Sequence, residues 1–216
     1  MGRDIDKLQA VAGDLEVRGA GAVRSRQFDA ADMTGHPAAI DAAQHALGGF
    51  DVVLIAHGSL PDQMACQADA ALTLSEFASN ATSVISLLTL LANRLEAQNS
   101  GVLAVITSVA GDRGRPSNYV YGSAKAAVSV FCEGLRARLA KRGVAVIDIR
   151  PGFVATPMTA RLQLPALLMA QPNAVARRIV AAIDRRTDVA YVPGFWALIM
   201  WVIRHIPRPV FKRLSL

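Results

Sequence analysis

Apolar positions along the chain alternate between helical spacing and short uninterrupted runs. Leu8, Val11, Ala12 and Leu15 share one face, which predicts a helix over 6–18 closed by Gly19. Positions 22–28 read as a short strand ending at Asp29, and 36–47 as a second helix. Val52, Val53, Leu54 and Ile55 form a run within 51–56, the pattern of a strand buried on both faces. A long helix follows over 69–98, with Val84, Leu88, Leu91 and Leu95 on its apolar stripe. The remaining expectations are a strand over 101–107, a helix over 118–142, a strand over 144–149 broken by Arg150-Pro151-Gly152, a helix over 174–186, a strand over 189–192, and a helix over 196–206 stopped by Pro207 and Pro209.

Strand–helix alternation of this kind predicts a doubly wound α/β fold. Its sheet is parallel and covered on both faces, and its site lies outside the strands' carboxyl ends. No internal repeat or linker divides the 216 residues, so one domain over 1–216 is expected.

Composition narrows the function. Hydrophobic residues make up 52% and charged residues 19%, which excludes disorder. The two cysteines, Cys66 and Cys132, have no metal or redox spacing and suit a reducing compartment; the scattered histidines form no ligand set, so no metal is expected. The N-terminus has no apolar signal region, and a cytoplasmic protein is expected. Net charge is +6, with Arg204, Arg208, Lys212 and Arg213 crowded beside Trp196 and Trp201 in a hydrophobic and basic segment over 195–216. Its apolar run over 195–203 is too short to span a bilayer, which takes ~20 residues. Two readings stand: peripheral attachment to an anionic inner-membrane surface, or a helix with a solvated basic end. Basic residues are not interleaved with aromatics in a stripe, which argues against nucleic acid.

The chemistry concentrates at Ser108, Tyr121 and Lys125. Ser108 ends a strand, and Tyr121 and Lys125 follow one turn apart on a helix. A phenol, an ammonium and a hydroxyl so arranged can move a proton to or from a substrate oxygen. A free phenol, with a pKa of ~10, is a poor catalyst near neutrality. The Lys125 ammonium is expected to favour the phenolate and lower that pKa.

Asn80, Ile106 to Gly111, Tyr121-Gly122-Ser123-Ala124-Lys125 and Pro151 to Thr156 together resemble the short-chain dehydrogenase/reductase family. Phe28 to Asp32 and Arg204 to Arg208 are most similar to its reductases of decaprenylphosphoryl-2-keto-pentose. The resemblance implies an NAD(P)-dependent Rossmann-type oxidoreductase that interconverts a ketone and a secondary alcohol, with a small-molecule or lipid-linked keto-sugar as substrate and a homo-oligomeric state. Tyr121 would be the proton donor or acceptor. Ser108 would orient the substrate oxygen, and Lys125 would also hold the cofactor ribose. Asn80 would hold a water linking the lysine to solvent, unless it is an ordinary helix asparagine.

For the cofactor, the resemblance implies contacts from Asp29 at the adenine (against a plain turn role), from Ala56 and Gly58, and from Pro151, Gly152, Val154 and Thr156 near the nicotinamide. The family's Asn-Asn-Ala-Gly is replaced here by Ile55-Ala56-His57-Gly58, and His57 reads as a cleft wall rather than a second proton carrier. Arg3 beside Asp4 favours NADP, since a guanidinium pairs with a 2′-phosphate; a carboxylate alone would favour NAD. Residues 158–171 would form a substrate-side lid.

Set against the family, the glycine-rich turn with its flanking strands and helix has no counterpart before Arg3, an expected absence of roughly 30 residues, one βαβ unit. Gly19-Ala20-Gly21 does not replace it, because it follows a helix and precedes a strand. Weak dinucleotide binding, marginal stability and unpaired strand edges are the expected consequences. The alternative reading is a cofactor-deficient, non-catalytic oligomerisation module, using the apolar stripes of 84–95 and 124–139 as a helix–helix interface.

Overall fold

In the computed structural model, residues 1–160 and 165–214 are described, and they divide into two compact units, Met1–Phe50 and Asp51–Leu216. The first unit holds α1 (Ile5–Val17) and α2 (His36–Leu47). Asp4 is the N-cap of α1, accepting a hydrogen bond from the Lys7 amide at 3.1 Å. Gly48, in the left-handed conformation at φ 75°, ends α2. The strand expected over 22–28 does not form: a single parallel bridge joins Gly2 to Gln27. Among residues 21–28 only Val23 and Phe28 are even half-buried, so no apolar face holds a strand there.

The second unit is an α/β body. In chain order it contains β1 (Val52–Ile55), α3 (Gln63–Ala68), α4 (Ala70–Phe77), α5 (Ser83–Gln98), β2 (Gly101–Ile106), α6 (Tyr119–Leu139), β3 (Val144–Pro151), α7 (Pro172–Asp184), β4 (Val189–Val192), α8 (Trp196–His205) and α9 (Arg208–Phe211). The four strands pair in parallel in the order β1-β2-β3-β4. Each crossover carries helix, as parallel pairing demands.

Period-two alternation sorts the sheet's side chains. Val102, Ala104, Ile147 and Ile149 face α7, where they meet Val175, Ile179 and Ala182. Leu103, Val105 and Val146, out of phase with these, are buried as well, with α5 packed on β2 and α6 on β3. β3 runs two residues further than its apolar run predicted, because Arg150 and Pro151 stay in register with Tyr191 and Val192.

Two sequence expectations are corrected by this packing. β1 is not buried on both faces: it pairs only with β2 among the described residues, and Val52 and Leu54 are 49% and 44% exposed. The stripes of 84–95 and 124–139 are not free for a partner either. Val84, Leu88, Leu91 and Leu95, and Ala124, Val128, Cys132, Leu135 and Leu139, are all buried within the unit. The helical stretch Ala70–Gln98 is long and apolar enough to cross a bilayer by length and composition, yet its apolar stripe is a core-facing one.

The long helix expected over 69–98 is interrupted. A π-helical turn over Ala78–Thr82 separates α4 from α5 and carries Asn80. Such turns occur often at functional sites, since they redirect one side chain without ending the helix.

Candidate active site

The carboxyl ends of β1, β2 and β3 bring the expected residues together. Ser108 follows β2, with its hydroxyl accepting from the Ala110 amide at 3.1 Å as it caps a short 3-10 turn over Val109–Asp112. That turn lies flat against α6 because both contact points are glycines. A Cβ on Gly111 would sit 2.8 Å from the Ala126 amide nitrogen, and one on Gly122 would sit 2.8 Å from the Ala110 carbonyl oxygen. This close approach brings the Ser108 hydroxyl near enough to Tyr121 to act on its phenol.

Lys125, one turn beyond Tyr121, is 4% exposed. Its ammonium donates to the Ile106 carbonyl at 3.1 Å and lies 5.6 Å from the centroid of the Tyr121 ring. Burial lowers its pKa to about 8, and the charge of Asp148 opposes the fall. Tyr121 departs from expectation. Its phenol is pushed up from the ordinary value, chiefly by burial, with the nearby Ser108 hydroxyl pulling the other way. The lysine does not lower it, because desolvation of the ring outweighs the field of an ammonium directed at a backbone carbonyl.

Asn80 is fully buried on the π-helical turn. Its Oδ1 accepts from the Ser59 amide at 3.0 Å, while Nδ2 donates to Ser59 Oγ at 2.9 Å and the Glu76 carbonyl at 3.1 Å. Ser59 Oγ in turn donates to Glu76 Oε2 at 2.5 Å. Gly58 lies over this cluster. A Cβ there would come 2.9 Å from Asn80 Oδ1 and 3.3 Å from Lys125 Nζ, so only bare backbone fits at that position. Ala56 is exposed beside it, and half-buried His57 places Nε2 2.9 Å from Ser83 Oγ, as a wall residue would.

The other expected residues lie as follows. Pro151 ends β3, and a Cβ on Gly152 would collide with the Trp196 indole, so Gly152 gives α8 its seat. Val154 bridges Ala170, and the Thr156 amide donates to Thr159 Oγ1 at 3.2 Å. The lid expected over 158–171 includes 161–164, which are outside the described residues. In the first unit Asp29 is exposed and accepts from the Ala31 amide at 3.0 Å, a turn contact. Arg3, also exposed, accepts at its carbonyl from Gln27 Nε2 at 2.9 Å. No group of three or more metal-type ligands occurs among the described residues.

Sequence reasoning missed a buried charged network behind the serine. Arg150 donates to Asp148 from Nε at 2.8 Å and to Asp112 from Nη1 at 3.0 Å. Tyr191 donates to Asp112 Oδ2 at 2.6 Å, and Thr107 donates to Asp148 Oδ1. The network ties the Ser108 turn to β3 and β4, and sets a carboxylate near Lys125. The signal was present in Val146-Ile147-Asp148-Ile149-Arg150: charges inside a core strand must be paired. Arg113 was also missed. It donates to the Ile203, Arg204 and Ile206 carbonyls at the end of α8 and stacks 3.6 Å from the centroid of Phe211.

A parallel α/β sheet bearing a Ser–Tyr–Lys–Asn cluster at its carboxyl edge defines a class of hydride-transfer enzymes. The family model described as short chain dehydrogenase matches residues 1–165. An uncharacterized oxidoreductase of Mycobacterium tuberculosis is 36% identical over 214 residues, covering 98% of this chain and 85% of its own length. One of Streptomyces coelicolor is 35% identical over 207 residues, covering 96% and 81%. Among solved structures, a short chain dehydrogenase/reductase family protein superposes with a TM-score of 0.74 at 23% identity, covering 88% of this chain and 82% of that one. A gluconate 5-dehydrogenase from Burkholderia cenocepacia, in complex with NADP and tartrate, gives 0.69 at 22% identity, covering 78% and 66%. The chain belongs to the short-chain dehydrogenase family and is an oxidoreductase.

Proposed function

We propose that this oxidoreductase interconverts a ketone and a secondary alcohol with NADP(H). The observation that carries the reading is the Tyr121 ring with the Lys125 ammonium 5.6 Å from its centroid and the Ser108 hydroxyl acting on its phenol, at the sheet's carboxyl edge. Residues along that edge fit a dinucleotide: at Gly58 a Cβ would fill the space beside Asn80 and Lys125, leaving a surface of bare backbone. Ala56, Gly58, Lys125, Pro151, Gly152, Val154 and Thr156 would hold the nicotinamide half. NADPH, when bound, supplies the hydride.

The chain's own residues supply the rest. Ser108 Oγ orients the carbonyl oxygen, and Tyr121 donates its proton to that oxygen as negative charge develops there. A phenol held above its ordinary pKa by burial is fully protonated at neutral pH, the state that reduction requires. Lys125 holds positive charge beneath the ring, and Asn80, bonded to Ser59 and the Glu76 carbonyl, would connect the lysine to that polar cluster.

The reading extends to a carbonyl on a lipid-linked sugar, worked on by a cytoplasmic homo-oligomer in peripheral contact with the inner membrane. The resemblance of 28–32 and 204–208 supports it, as does the outward face of α8, where Leu198 and Trp201 are 68% and 60% exposed ahead of Arg204, Arg208, Lys212 and Arg213. Two experiments test these layers. Fluorescence titration with NADPH and NADH should show saturable binding, tighter for NADPH, and NADPH oxidation with a ketone panel should be lost in Tyr121→Phe; absence of binding overturns the enzymatic reading. Co-sedimentation with phosphatidylglycerol vesicles, but not phosphatidylcholine vesicles, should weaken in Trp201→Ser; indifference to lipid charge removes the membrane layer.

A further inference from the structure

The loop 113–118 leads from the Ser108 turn into α6, and it buries a cation that the catalytic scheme does not use. Arg115 is 9% exposed. Its Nε is buried without a hydrogen-bond partner, and among the described residues its guanidinium enters no ion pair. Its neighbour in charge, Asp112, is already committed: one oxygen accepts from Arg150 at 3.0 Å and the other from Tyr191 at 2.6 Å. Burial accordingly pulls the Arg115 pKa down, with only partial relief from Asp112.

A second orphan stands at the same end of α6. Gln63, at the start of α3, accepts from the Val120 amide at 3.1 Å through Oε1, which leaves its buried Nε2 with no acceptor. Val120 immediately precedes Tyr121. The N-cap Asn118 makes no side-chain cap bond, so the amino end of this 21-residue helix adds its own positive potential. Leaving one buried donor unsatisfied is costly, and leaving a buried cation unsatisfied is more so; such groups call for a partner, a water, an ion or a ligand.

We infer that Arg115 and Gln63 form a subsite for an anionic group, a carboxylate or a phosphate, carried by the substrate next to its reacting carbonyl. The inference rests on the carbonyl-reductase reading for the identity of the ligand as substrate, and it deepens that reading by naming the substrate's charge. The guanidinium offers the planar donor pair that carboxylate and phosphate oxygens match. The Gln63 amide, bonded through Oε1 to the Val120 amide next to Tyr121 in the chain, adds a neutral donor. Asn118 Oδ1, also buried and unpaired, is an acceptor and suits a hydroxyl on the same molecule.

The test is isothermal titration of the full chain with succinate, with inorganic phosphate and with neutral succinamide, at matched ionic strength. Succinate or phosphate should bind saturably and succinamide should not; which anion binds distinguishes a carboxylate substrate from a phosphorylated one. Arg115→Gln should weaken that binding at least tenfold, Gln63→Leu should weaken it by less, and Tyr121→Phe should leave it unchanged. Arg115→Met should melt no lower than the wild type, because it removes an unpaired buried charge, and it should lose the stabilisation that the bound anion confers. The subsite is overturned if neither anion binds, if Arg115→Gln binds it as the wild type does, or if Arg115→Gln instead weakens NADPH tenfold with the anion titration unaltered. Failure of the reductase reading itself is a separate result: no ketone-dependent NADPH oxidation while the anion titration stands.

Discussion

Lys125 Nζ donates to the Ile106 carbonyl at 3.1 Å, so the ammonium beneath Tyr121 is held by the end of the strand that leads into Ser108. Strand, serine turn and α6 thereby share one fixed point. The lysine is buried for this purpose at an electrostatic cost, and that cost is measurable.

Below pH 8 the folded chain keeps a buried, charged Lys125 whose pKa has fallen from 10.5 to about 8. Between those values the unfolded chain binds the proton and the folded chain does not, so stability rises with pH. The gain from pH 8 to 9 is about 1 kcal/mol. Cys132, raised by burial from 9.0 to about 12, acts with the opposite sign above pH 9, where the unfolded thiol ionises and the folded one does not. Urea unfolding of the wild type and Lys125→Met at pH 7, 8 and 9 should show the rise in the first and its absence in the second. Parallel curves would remove the burial argument.

Tyr121→Phe deletes the phenol that the proposed reaction uses as proton donor. Turnover in ketone reduction should fall by about 10²–10⁴ with NADPH affinity nearly unchanged. Ser108→Ala removes only the orienting group and should cost less in kcat. Steady-state kinetics together with nucleotide fluorescence titration separates the two effects.

Gly58→Ala places a methyl 2.9 Å from Asn80 Oδ1 and 3.3 Å from Lys125 Nζ. Both polar groups must shift, and the bare backbone surface is lost. NADPH binding should weaken at least tenfold, while the far-ultraviolet circular dichroism stays that of the wild type. Unchanged affinity would show that the dinucleotide does not approach Gly58.

Arg150→Met leaves Asp148 and Asp112 as buried carboxylates without their shared cation. Breaking a buried pair in this one-sided way costs about 3–5 kcal/mol. Tyr191→Phe removes only the hydroxyl that donates to Asp112 and should cost about 1–2 kcal/mol. Denaturant midpoints give both values. Equal costs would mean that Arg150 does not hold the network together.

Local periodicity made α2, β4 and the cores of β2, α6 and α7 legible, because each buries a stripe or run that its own spacing marks out. It failed where burial depends on what lies alongside. β1 has a fully apolar sequence but an exposed face at Val52 and Leu54, and positions 22–28 have strand-like residues but form only one bridge. The π-helical turn at Asn80 was likewise hidden, since one extra residue in a turn leaves the helical apolar spacing on either side intact.

By itself the sequence determined the class of fold and singled out the candidate residues at the site. Strand–helix alternation admits little but a parallel sheet, and Ser108, Tyr121 and Lys125 stand at fixed distances along it. Only the tertiary structure decided their electrostatics: whether Tyr121 is raised or lowered, what holds Lys125, and which of the buried arginines has its countercharge. Those outcomes depend on desolvation and on partners far apart in the chain, as Asp112, Asp148, Arg150 and Tyr191 are, and spacing along the chain carries no record of either.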